Sequence, residues 1–177
     1  MSYFAPGALR SAGRNTLRVI NWSVQASCVT LLLQHYVGEV TVSIGPSMLP
    51  TFNIAGDFVV VEHISQRYRK LQLGDVVVCT SPLNPQRQVC KRVLGLPGDR
   101  VYVDPTIPGS KLVTIPQGHI WLQGDNYNNS TDSRKYGPVP MGLLRGRVLC
   151  KIYPNWEWMK SGFEDIQPTE RVLSVEQ

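Results

Sequence analysis

The sequence predicts a mainly β fold, a small antiparallel barrel-like or sandwich-like domain, with one N-terminal transmembrane helix ahead of it. Three observations carry that prediction. Short β-branched or aromatic runs recur between residues 40 and 153. Four Gly-Asp pairs (Gly56-Asp57, Gly74-Asp75, Gly98-Asp99 and Gly124-Asp125) each stand beside one of these runs and read as turns. Val19 to Val37 is a 19-residue stretch without Asp, Glu, Lys or Arg. That is close to the length of about 20 residues that crosses a bilayer.

The totals narrow the class. A chain of 177 residues suits one domain with an appendage. The net charge of +5 is modest and forms no basic stripe with interleaved aromatics, so no nucleic-acid partner is expected. Cys28, Cys79, Cys90 and Cys150 are widely spaced, with no CxxC pair. They read as small buried hydrophobes, and neither a metal nor another cofactor is expected.

Along the chain, residues 1–18 form a basic segment with Arg10, Arg14 and Arg18, and the first acid is Glu39. Such a start fits mitochondrial targeting, and equally the positive flank of a membrane span. Residues 19–38 are expected to be that span. Asn21, Ser23, Gln25, Ser27, Thr30, Gln34 and His35 interrupt it, leaving 12 apolar residues of 19. On a helix Ser23, Ser27, Thr30 and Gln34 share one side, which suits a face packed on protein. A helix buried in a soluble protein is the alternative.

Residues 39–153 carry the β domain. Strands are expected at 58–61, 76–78, 89–94, 101–103, 120–122 and 148–153, with a further one at 111–115 inside a turn-rich connector, 104–116. Residues 154–177 form a C-terminal tail, polar apart from Trp156, Trp158 and Phe163. It lies along the domain or at a membrane interface.

Candidate chemistry begins at Gly45-Pro46-Ser47-Met48-Leu49-Pro50-Thr51. Pro46 and Pro50 fix φ around Ser47, and Gly45 permits close backbone approach. A serine so held is either an ordinary turn residue or a nucleophile, and a nucleophile needs a base. In Gln88-Val89-Cys90-Lys91-Arg92-Val93-Leu94, alternation places Lys91 between Val89 and Val93 on one face. Either this lysine snorkels to the surface, or it is desolvated and neutral enough to take a serine proton. His35, His63 and His119 stand in no nucleophile motif and read as structural. The polar loop Gly124 to Gly137 contributes Ser130, which can orient an amine, and Asp132 with Arg134, which can pair locally. A solvated hairpin loop is the plain alternative.

Together these pieces resemble the signal peptidase I family. Ser47-Met48-Leu49-Pro50-Thr51 matches its nucleophile box, and Gly74-Asp75-Val76-Val77 the strand box after it. Lys91-Arg92-Val93 with Gly95, Pro97, Gly98 and Asp99 matches the lysine box. Gly124-Asp125-Asn126, Ser130, Asp132, Ser133, Arg134 and Gly137 match the last box. The Gly45-Pro46-Ser47-Met48 start and the arginine-bearing N-terminus look most like the mitochondrial inner-membrane members.

The resemblance implies a membrane-anchored serine endopeptidase that removes sorting peptides from precursor proteins. Ser47 would be the nucleophile and Lys91 the general base. Ser130 would orient Lys91, Asp132 and Arg134 would hold the loop, and Met48 would pack beside the site. Many bacterial members carry a hydroxyl at the position of Gly45 that completes the oxyanion hole; Gly45 offers none. Resemblance to the mitochondrial members further implies inner-membrane lipid as a partner, a catalytic domain facing the intermembrane space, and a heterodimer with a related second subunit. Two other readings compete. One is a soluble self-cleaving repressor-type Ser-Lys peptidase. The other is a non-catalytic subunit of a peptidase complex.

Overall fold

The computed structural model describes residues 6–65, 71–159 and 161, with helix side chains from residue 15 onward. It comprises two compact units that divide between Val37 and Gly38. Most of the predicted tail, and the first five residues of the basic segment, lie outside the described residues.

The first unit is helix α1, Pro6–Tyr36. The predicted helix is therefore present and begins earlier than residue 19. The predicted span is not upheld: among the described residues, no helix is long and apolar enough to cross a membrane. The seven polar side chains within Val19–Val37 dilute the hydropathy too far. Two of them are satisfied by their own backbone, Ser27 Oγ donating to the Ser23 carbonyl and Thr30 Oγ1 to the Ala26 carbonyl, both at 2.9 Å. Cys28, expected to be buried, is exposed on this helix.

The second unit is β. Its strands are β1 (Gly38–Ser43), β2 (Asp57–Glu62), β3 (Val76–Thr80), β4 (Gln88–Gly95), β5 (Arg100–Tyr102), β6 (Leu112–Thr114), β7 (His119–Gln123), β8 (Val139–Pro140), β9 (Leu144–Tyr153) and β10 (Glu157–Trp158). They form an antiparallel sheet in the order β1-β2-β9-β3-β4-β7-β8, with β10 added to β9, and a separate β5-β6 ribbon. Every predicted run overlaps one of these strands, with Val103, Lys111 and Ile115 falling just outside.

Strand β3 shows how the residues choose their sides. Alternation sends Val76 and Val78 to one face and Val77 and Cys79 to the other. Val76 and Val78 join Met48, Phe52, Val59, Val61 and Val148. Val77 and Cys79 join Val93, Ile120, Leu122, Val139 and Leu144. A strand buried on both faces reads as an unbroken apolar run, as Val-Val-Val-Cys does.

Three of the four Gly-Asp pairs are the turns the sequence suggested. Gly56, Gly74 and Gly98 have φ of 107°, 90° and 93°, the region that favours glycine. The aspartate then closes each turn by accepting a backbone N–H, from Asn53 to Asp57, Gln72 to Asp75 and Leu96 to Asp99. Gly124-Asp125 does something else, described below.

The chain after β9 is not free at its start. Met159 N–H donates to the Leu149 carbonyl, and Ser161 Oγ donates to Asp75 Oδ1 at 2.7 Å.

Candidate active site

Ser47 is held by a turn that its neighbours leave little freedom. Gly45 sits at φ 123°, and its N–H donates to the Ile54 carbonyl. Pro46, Ser47 and Met48 then form a 3-10 turn. Met48 and Phe52 anchor it in the core, 2% and 1% exposed, and Phe52 N–H donates to the Met48 carbonyl. Ser47 itself is half-buried on the wall of a cleft of about 630 Å³.

Lys91 meets it from β4. Its Nζ lies 2.7 Å from Ser47 Oγ, within hydrogen-bond distance. Lys91 is only 3% exposed, opposite Val77 in the β3–β4 register. Burial holds the lysine below its ordinary value of 10.5, against an upward pull from Cys90, Asp132, Cys79 and Asp125. A lysine in this state sheds its proton more readily than one in water, so the pair can pass a proton between Oγ and Nζ. Burial also pushes the nearby thiols up, Cys79 to about 11 and Cys90 to about 12. Both stay protonated at neutral pH and do not compete as nucleophiles.

Gly124 to Gly137 closes over the site. Ser130 is buried, and a Cβ added to Gly124 would strike both Ser130 Oγ and the Ser47 carbonyl. Gly124 is therefore glycine because two chain segments meet there, not because of its φ. Ser130 Oγ lies by Asp132 but forms no hydrogen bond of good geometry among the described residues. Asp132 is fully buried and takes both arms of Arg134, at 2.9 and 2.8 Å. Burial alone would raise its carboxyl; hydrogen bonds from Arg134 and the Gly124 N–H, with the Arg134 charge, outweigh it and hold the group below the ordinary range. Arg134 in turn lies 4.0 Å above the Tyr127 ring. The structure thus brings Gly45, Ser47, Met48, Lys91, Ser130, Asp132 and Arg134 to one region.

Two further contributions escaped the sequence reading. Asn126 clamps the serine turn from across the site. Its N–H donates to the Ser47 carbonyl at 3.0 Å, and its Nδ2 to the Pro46 carbonyl at 2.9 Å. Arg92 points away from Lys91 and forms a two-armed pair with Asp125, at 2.9 and 2.8 Å. Thr51 Oγ1 donates to the same carboxylate at 2.6 Å, and Arg92 reaches the Gly74 carbonyl at 2.8 Å. One buried ion pair so ties together all four motif boxes. The signal was present: an arginine on an apolar strand face requires a carboxylate. Asp125→Leu leaves Arg92 buried and unpaired and costs about 3–5 kcal/mol of stability. Arg92→Met together with Asp125→Leu recovers most of that loss; thermal melts of the three chains check both statements.

The histidines are engaged elsewhere. His63 donates to the Arg145 carbonyl and His119 to the Gln117 carbonyl.

Comparison with known proteins agrees with this arrangement. A family model described as signal peptidase, peptidase S26, matches residues 16–107 and 104–153. The mitochondrial inner membrane protease subunit 1 of Schizosaccharomyces pombe is 44% identical over 144 residues, covering 81% of this chain and 91% of that protein. Subunit 1 of Homo sapiens is 42% identical over 149 residues, covering 82% and 88%. Subunit 2 of the same protease from Mus musculus is 38% identical over 132 residues, covering 72% and 73%. The chain belongs to the signal peptidase family, peptidase S26.

Proposed function

We propose that this chain is a serine endopeptidase that cuts sorting peptides from precursor proteins, with Ser47 as nucleophile and Lys91 as general base. The observation that carries this reading is the 2.7 Å approach of Lys91 Nζ to Ser47 Oγ, made by a lysine only 3% exposed. As Oγ attacks the scissile carbonyl carbon, its proton passes to Nζ. The ammonium then gives that proton to the departing amine as the C–N bond breaks. Water repeats the exchange to release the acyl group from Ser47.

The negative oxygen of the tetrahedral intermediate needs donors. Ser47 stands second in a 3-10 turn, where the first N–H groups have no acceptor within the turn, and its N–H fills that role. Gly45 contributes the backbone bend and no donor, since its own N–H is held by Ile54. Ser130, whose buried Oγ has no hydrogen-bond partner among the described residues and so is open to one, is assigned the orienting of Lys91; Asp132 and Arg134 stiffen the loop that carries Ser130, and Met48 seats the turn.

The relatives' names support a place at the mitochondrial inner membrane and work beside a related second subunit. We place the catalytic domain on the intermembrane-space side. Retention of Ser47 and Lys91 at bonding distance favours the catalytic role over a non-catalytic subunit.

The pH profile of precursor cleavage tests the base. Lys91 works only when neutral, so kcat/KM falls on the acid side, by about tenfold per pH unit below its pKa. Because burial lowers that pKa, the plateau is reached below the ordinary lysine value of 10.5. A rate still climbing through the ordinary lysine range contradicts a desolvated base, and a flat rate far into acid contradicts any lysine base.

A further inference from the structure

The Asp132–Arg134 pair beside Lys91 is itself held from outside its loop. Tyr127 opens the 3-10 turn Tyr127–Asn129, and its ring centre lies 4.0 Å from the Arg134 guanidinium. A guanidinium over an aromatic face is attracted by the ring's quadrupole, more strongly where water is kept out. The Arg134 side chain is 11% exposed and that of Asp132 fully buried. The phenol end of the same tyrosine reaches a different part of the domain. Its Oη lies 3.1 Å from Thr106 Oγ1, in the connector between β5 and β6. The neighbours fix the direction of that bond. Thr106 has one hydroxyl proton and gives it to Asp104 Oδ1 at 2.6 Å. Tyr127 is therefore the donor. Asp104 is fixed in turn: it accepts the Thr106 N–H at 2.9 Å, and its own N–H donates to Ser110 Oγ at 2.8 Å. The β5-β6 ribbon is a sheet of its own. Tyr127, 21 positions from Thr106, so bridges that ribbon and the ion pair next to the lysine.

We propose that Tyr127 is a positioning residue: it ties the β5-β6 ribbon to Arg134 and so sets how fully Arg134 offsets the charge of Asp132 beside Lys91. This role exists only if Lys91 is the base, as proposed above. Asp132 is one of the groups that favour the charged form of the lysine, and Arg134 opposes it through two bonds to the same carboxylate. The other groups that act on Lys91 are the thiols of Cys79 on β3 and Cys90 on β4, both protonated at neutral pH, and Asp125, which Arg92 pairs. Tyr136 also feels Asp132, and burial keeps its phenol protonated. Asp104 is a second carboxylate that the Arg134 charge reaches. Among these, Asp132 is the charge whose balance Tyr127 controls. Without the ring, water reaches the guanidinium and screens it. Asp132 then acts on Lys91 less opposed, which favours the charged lysine and raises its pKa.

The test compares the pH profile of precursor cleavage for the full chain and for Tyr127→Leu, Tyr127→Phe and Thr106→Val. Tyr127→Leu loses both ring and hydroxyl. Its acid limb is expected to move up by about half a pH unit, roughly a threefold lower kcat/KM at a fixed pH on that limb. Tyr127→Phe and Thr106→Val keep the ring over Arg134 and cut only the tie to the ribbon. Each is expected to move the limb the same way by a smaller, equal amount, and the two together by no more than either alone. An acid limb that stays in place in Tyr127→Leu, with the rate lowered equally at every pH, makes Tyr127 a packing residue and overturns the proposal. Shifts of Tyr127→Phe and Thr106→Val that add, or no shift in either, also overturn it, because the ribbon then does not act through Tyr127. Thermal melts show whether each chain is folded. Where Tyr127→Leu is not, the two milder variants and their double decide alone. A wild-type profile with no acid limb overturns Lys91 as base and this role with it. A limb present in the wild type and unmoved in the variants overturns the role of Tyr127 only.

Discussion

Lys91→Met lowers precursor cleavage by at least about 10³-fold and makes the protein more stable at neutral pH. The first effect follows from the proposed dyad. Methionine fills the lysine's volume but accepts no proton, and Ser47 alone is a poor nucleophile. A loss of at least about 10³-fold in kcat is expected, since members of such a unit fail together. The second effect follows from burial. Lys91 is 3% exposed, and its charged form is disfavoured there. Between its lowered folded pKa and 10.5 the unfolded chain binds a proton that the folded chain does not, so stability falls as pH drops through that window. Methionine removes this penalty and gains about 1 kcal/mol at pH 7. Single-turnover cleavage and urea melts at several pH values check both halves. A destabilised Lys91→Met chain would mean that the lysine is held charged by its surroundings.

Gly124→Ala is the second large effect, and it reaches activity without touching either reacting group. The added Cβ meets Ser130 Oγ and the Ser47 carbonyl, and stands 2.8 Å from Ser130 Cβ. The Ser47 carbonyl cannot yield alone, because Asn126 holds it. Nor can Ser130 swing freely, because Asp132 and Arg134 pin its loop. Over-packing of this kind costs about 1–3 kcal/mol. Displacing the serine turn by a fraction of an ångström lowers kcat by about 10²-fold. Ala at Gly142, where an added Cβ meets nothing, is the control and leaves both quantities unchanged. Steady-state kinetics with a thermal melt on each chain separate the two outcomes.

Much of this was legible because it is local. The strand runs carry their own periodicity, and a buried strand such as Val76–Thr80 announces itself by having no polar side. The approach of Lys91 to Ser47 was legible for a different reason. Each is an odd residue in its surroundings, a serine between prolines and a lysine between valines. What the sequence hid was either distant or inverted. Arg92 and Asp125 lie 33 positions apart, and only the β4–β7 register brings them together. Asn126 stood in the last motif box with no role of its own, since what it clamps is 80 positions away. Strand β1 alternates, but its valines face outward, so the pattern gives no core side. Strand β10 is two residues long, too short for any period to show. The span over-read an uncharged stretch as an apolar one. Absence of charge is not hydropathy, and seven polar side chains decide the difference. The fourth Gly-Asp pair shows the same limit: it matches the other three in sequence, yet its aspartate pairs with an arginine instead of closing a turn.

In the proposed reaction Ser47 attacks and Lys91 activates it. Incubating the protein with a slowly released ester substrate and mapping the acylated peptide by mass spectrometry tests this most directly. One acyl group is expected on Ser47, formed faster as pH rises to the plateau, and absent from Ser47→Ala and from Lys91→Met. An acyl group carried elsewhere, or undiminished labelling of Ser47 in Lys91→Met, would contradict it.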